Sequence, residues 1–128
     1  MTNPINNFAR ETIMKNAAKA MASWFMENGL DAPTLAQRLQ AGEPVLDNAL
    51  NAVPKDQIGG VRAMVAPVIK SFTNDDYAKI LSYVWEYKTA YPPCEGIAVL
   101  LQDPTFFWTY YQPAMEKVKV WLATGSPA

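Results

Sequence analysis

The chain has 128 residues, half of them hydrophobic and 18% charged, which suits one packed domain and argues against disorder. Its formal net charge is −1, and it holds no histidine and a single cysteine, Cys94. These counts exclude Ser-His-Asp and Cys-His catalysis, imidazole metal ligands, an internal disulfide, Cys-rich zinc, c-type haem and iron–sulfur clusters.

Prolines and glycines punctuate the chain, and between them the apolar period is helical. The first helix is expected from about Pro4 to Asn28, with Asn3 as cap and Asn28-Gly29 as its stop, Leu30 packing behind. Ile13, Met14, Ala17, Ala20, Met21, Trp24 and Phe25 share one face at helical spacing, and Trp24 is expected in the core. A short helix follows over about Leu35–Ala41, with Thr34 and Gln37 spaced as a capping box and Gly42 ending it. The next covers about Pro44–Val53. Pro54 then opens a segment to Phe72 that Gly59-Gly60 weakens and Pro67 interrupts.

Thr73 with Asp76 three residues on marks another start, and Asp75 and Asp76 suit its positive end. This helix should reach about Thr89 and be central, because Tyr77, Ile80, Leu81, Val84, Trp85 and Tyr87 cover most of its circumference. Tyr91-Pro92-Pro93 stops it. A short apolar helix is expected over about Cys94–Gln102. Asp103-Pro104 starts the last helix, which runs to about Ala123 with a kink near Pro113. The expected fold is all-α: a compact single-domain bundle of six or seven mostly short helices over residues 1–124, with residues 125–128 a frayed tail.

Twelve of the fifteen aromatic residues lie at or after Phe72, most densely in Phe106-Phe107-Trp108-Thr109-Tyr110-Tyr111. On a helical wheel Phe107, Tyr111, Met115, Val118 and Leu122 share one face, Phe106 and Tyr110 lie to one side, and Trp108 flanks the other. The run is either a helix end buried in its own domain or an exposed patch of the kind interfaces use. Phe106, Trp108, Tyr110, Tyr111 and Trp85 form the candidate interaction or ligand patch, and a homodimer with Phe106 and Tyr110 near its centre is expected.

Other motifs carry less. Cys94 follows two prolines, where a helix N-terminus lowers a thiol pKa, but packing as a small apolar residue explains it better. Arg10, Arg38, Arg62, Lys79 and Glu86 are the charged groups that would have to converge on an anionic substrate, and they are scattered in sequence. Residues 35–50 look superficially like a helix-turn-helix. Their second helix, however, offers Glu43, Asp47, Asn48 and Asn51 and no basic residue, so it would repel DNA. Lysines and arginines form no cluster, so no nucleic-acid partner is expected. No apolar run is long enough to span a membrane, and Arg10, Glu11, Lys15 and Lys19 break any signal-peptide core.

The sequence therefore reads as a non-enzymatic, soluble, cytoplasmic interaction module. It is expected to associate with itself or with another protein, and to need no cofactor and no metal. The alternative is a binder of a small apolar or aromatic ligand, held between the aromatic helices in a cavity lined by Trp85, Trp108 and Tyr111.

Overall fold

The computed structural model describes residues 4–50 and 67–124, and among them the fold is all-α with no strand. Seven helices run in order: α1 (Pro4–Glu27), α2 (Ala32–Gln40), α3 (Val45–Leu50), α4 (Asn74–Glu86), α5 (Pro93–Gln102), α6 (Pro104–Phe106) and α7 (Gln112–Thr124). A 3-10 turn (Tyr87–Thr89) extends α4, and a π-helical turn (Phe107–Tyr111) joins α6 to α7. Residues 67–70 add one more helical turn. Gly59-Gly60 and residues 125–128 lie outside the described residues.

The terminators follow from local chemistry. Gly29 and Gly42 take positive φ, at 60° and 84°, where a side chain would be strained. Each then closes its helix in the same way: Leu30 N–H reaches Phe25 O at 3.0 Å, and Glu43 N–H reaches Arg38 O at 3.0 Å. At the start of α4, Thr73 N–H donates to Asp76 Oδ2 at 2.8 Å and Asp76 N–H donates to Thr73 Oγ1 at 3.4 Å, the expected capping box. Helix α2 departs from expectation. It begins at Ala32 and is capped by Asp31, whose Oδ1 accepts from Thr34 N–H at 2.9 Å. Pro33, lacking an N–H, fits the first turn, so Thr34 is inside the helix and caps nothing.

Helix α4 is central, packing against α1, α5 and α7, while α3 bridges α1 and α7 and α2 lies on α5. Every fully buried side chain among the described residues is apolar or a tyrosine, alanine and cysteine included. On α1 the buried stripe is Ile13, Met14, Ala17, Ala18, Met21, Ala22 and Phe25, with Ala20 and Trp24 half-buried at its edge. The stripe is therefore rotated by about 45° from the face expected, toward the small side chains of Ala18 and Ala22. Trp24 is not inside the core. It leans edge-on against Phe25, ring centroids 6.1 Å apart.

Long-range polar contacts fix α1 on α4. Arg10 Nη1 pairs with Asp76 Oδ2 at 2.8 Å, and Nη2 donates to Ser71 Oγ. The guanidinium also lies 5.3 Å from the centre of the Phe72 ring. The next residue of α1, Glu11, accepts from both Lys79 Nζ and the Tyr83 hydroxyl of α4.

Candidate functional site

The expected kink near Pro113 takes the form of the π turn. Proline has no N–H, so the carbonyl of Thr109 loses its ordinary α-helical donor, and the ring would crowd that carbonyl in an unbroken α-helix. The backbone widens by one residue instead, and Gln112 N–H reaches back to Phe107 O. This wide turn carries the aromatic run.

The run has three environments. Phe107 and Tyr111 face inward, with ring centroids 5.5 Å apart, and Tyr111 is fully buried. The Tyr111 hydroxyl donates to Tyr77 O on α4 at 2.7 Å. Tyr77 is itself buried, and its hydroxyl donates to Glu116 Oε1 at 3.0 Å. Burial pushes both phenols well above the ordinary tyrosine pKa. At Tyr77 the hydrogen bond to the Glu116 carboxylate adds to it, and at Tyr111 the neighbouring Tyr77 does. These two tyrosines therefore act as a clamp between α4 and the last helix. Tyr111 belongs to the core and not to a surface patch.

Phe106 and Tyr110 are half-buried on one flank of that inward face, their ring centroids 5.5 Å apart. Trp108, two residues from Phe106, is about half a turn away around the helix. It stacks edge-on against Phe107 with centroids 5.0 Å apart and is still 56% exposed. Residues 104–115 carry no charge at all, so the whole run is neutral as well as aromatic.

Trp85 stands apart. It is exposed on α4 and covered on one face by Lys88, whose Nζ lies 3.3 Å from the ring centre. It forms no ring pair with the 106–111 run. The five patch residues are thus a core tyrosine, a half-buried pair, and two exposed tryptophans in different settings. Neither of the two depressions described below is lined by Trp85, Trp108 or Tyr111.

Two surface depressions stand out among the described residues. A cleft of about 400 Å³ is lined by Lys15, Tyr83, Glu86 and Tyr87, with Lys15 Nζ 5.7 Å from the Tyr83 ring centre. A groove of about 530 Å³ lies between α5 and α6, lined by Val99, Leu100, Gln102, Asp103 and Phe106. The groove was not anticipated from sequence, although its signal is there. Glu95, Val99, Gln102 and Asp103 recur at the spacing of one helix face, and all four are exposed.

The remaining candidates are dispersed. Cys94 is completely buried, and desolvation raises its thiol pKa, so the lowering expected from a helix N-terminus does not prevail. Arg10 is held by Asp76 and Ser71, Lys79 by Glu11, and Arg38 lies 4.0 Å from Glu43. Glu86 lines the cleft on α4. Arg62 and Asn51 lie outside the described residues. Arg10, Lys79 and Arg38 are each turned to a different carboxylate and not to one shared site, and the described residues hold no cluster of three or more metal-ligating acidic or cysteine side chains. No described helix is long and apolar enough to cross a membrane. No protein-family model, curated protein or solved structure matches the chain.

Proposed function

We propose that this protein is a non-enzymatic interaction module that associates with a second copy of itself through the aromatic C-terminal half. The observation that carries the reading is Trp108: a large indole, more than half exposed, on a helix flank with no charge from residue 104 to 115. Most exposed apolar side chains need no explanation, but an exposed tryptophan is the residue type that anchors interfaces. A two-fold contact sets residue i of one copy against residue j of the other, so a surface whose charges share one sign meets like charge. A neutral flank is free of that repulsion. Phe106 and Tyr110, half-buried and already packed on each other, give less new apolar area than Trp108, which moves the expected centre of the dimer to the other side of the helix.

Light scattering over micromolar to millimolar protein tests this. The expected result is a dimer that Trp108→Ser converts to monomer with its circular dichroism unchanged. A wild-type monomer throughout the range overturns self-association. A dimer that survives Trp108→Ser, but is lost in Phe106→Ser with Tyr110→Ser at an unchanged melting temperature, returns the interface to the first flank.

A further inference from the structure

We infer that the groove between α5 and α6 receives a positively charged amphipathic helix of another protein. The inference rests on reading the chain as an interaction module, but concerns the flank opposite Trp108. The floor of the groove is apolar: Leu100 and Phe106 are half-buried, and Val99 is 61% exposed, the most exposed of the large hydrophobic side chains described. The Phe106 ring is backed by Tyr110, which stiffens that wall. Opposing apolar side chains one helical turn apart are what a docked helix supplies to such a depression.

Charge selects the occupant. Between Lys88 and Lys117 the chain has no lysine or arginine, and its charges there are Glu95, Asp103 and Glu116. Glu116 lies on α7, hydrogen-bonded to Tyr77 and Gln112, so the charges along α5 and its end are Glu95 and Asp103, the latter also accepting from Thr105 N–H. Both lie on the face that presents Val99, four residues to either side of it. A second copy laid antiparallel on this face would bring Glu95 of one chain against Asp103 of the other. A helix with lysine or arginine beside its apolar stripe meets both carboxylates favourably. The acidic α5 face is thereby suited to a basic partner, whereas the run that carries Trp108 has no charge of its own.

The probe is a fluorescein-labelled helical peptide with leucines at i, i+4 and i+7 flanked by lysines, with a glutamate-flanked peptide as control. Fluorescence anisotropy should show the lysine peptide binding at least tenfold more tightly than the control, with affinity falling as salt rises. Two variants at the exposed Val99 separate groove docking from general attraction to an acidic protein. Val99→Glu and Val99→Lys should each weaken the lysine peptide at least tenfold, because both place a charge under its apolar stripe. If Val99→Glu binds the peptide as well as or better than wild type, attraction is by charge alone and the inference fails. Equal binding of the two peptides also overturns it. Trp108→Ser should leave peptide affinity unchanged, so peptide failure and dimer failure are read independently.

Discussion

Replacing Tyr111 by phenylalanine should destabilise the protein at neutral pH and stabilise it at high pH. The ring and its contacts remain, and one buried hydrogen bond is lost, the 2.7 Å contact to Tyr77 O. That carbonyl lies within α4 and keeps its helical position, so it is not orphaned by the change. The cost should sit near the usual net value of such a bond, about 1 kcal/mol. In a domain of this size that lowers the melting temperature by about 3–5 °C. The alkaline limb has the opposite sign. A phenol whose folded pKa is raised contributes stability that is fully present below its unfolded pKa of about 10 and is lost as pH rises above it. Once the unfolded chain ionises Tyr111 and the folded chain cannot, wild type loses about 1.4 kcal/mol per pH unit from this residue alone. Phenylalanine has no such loss. The two stability curves should therefore cross between about pH 10.5 and 11, where about 1 kcal/mol has been lost. Urea unfolding of both proteins from pH 7 to 11.5 reads this directly. Parallel curves would refute the burial of an un-ionised Tyr111, whatever the neutral-pH difference.

Two further outcomes test the packing and the α1–α4 contacts. Phe25→Ala should cost about 3–5 kcal/mol, as for a filled core site. Trp24→Ala should cost distinctly less although the side chain is larger, because Trp24 only leans on the core. Equal losses in urea melts would restore Trp24 to the interior. Hydrogen bonds from Lys79 and Tyr83 hold the Glu11 carboxyl below the usual carboxylate range. A depressed carboxyl contributes stability that is present above its unfolded pKa and lost as pH falls through the folded value. Glu11→Gln should consequently flatten the decline in melting temperature between about pH 5 and pH 3. An acid limb unchanged by the substitution would mean that Glu11 is not held.

What could be read from sequence was what local chemistry decides. The Thr73–Asp76 box and the Gly29 stop depend on residues within one turn of each other, and both stand in the structure. At the α2 start two local signals compete. Thr34 and Gln37 match a box by spacing, but Asp31 followed by Pro33 is a complete start three residues earlier, and the earlier one operates. The α1 stripe was rotated because alanine contributes little to a hydrophobic pattern, whereas Ala18 and Ala22 are where another element approaches closely. Arg10–Asp76 and Glu11–Tyr83 join residues 66 and 72 positions apart, and no periodicity within α1 or α4 specifies which faces meet. The split of the aromatic run was legible on the helical wheel. Its depth was not, because only the position of α4 determines that Tyr111 is covered.

Pro113 connects these levels. Had the last helix been α-helical throughout, the Thr109 carbonyl would have met the proline ring. The π turn removes that clash by inserting a residue, and so sets the rotation of the segment before it relative to α7. On the α7 side the inward positions are Ala114, Met115 and Val118, and on the turn they are Phe107 and Tyr111. With those two rings committed to the core, helical geometry leaves Phe106 and Tyr110 on one flank and Trp108 on the other. The flanks then differ in what borders them. Phe106 adjoins the end of α5, where Asp103 must remain acidic or polar because its side chain caps the next helix through Thr105 N–H at 3.0 Å. Trp108 has no such neighbour in its own stretch of chain, which is uncharged from residue 104 to 115. The acidic character of one surface thus follows from a helix cap, and the exposure of the other from accommodating a proline. Both are consequences of how the chain starts and bends its last helix, which is why two surfaces of different chemistry arise within one short aromatic segment.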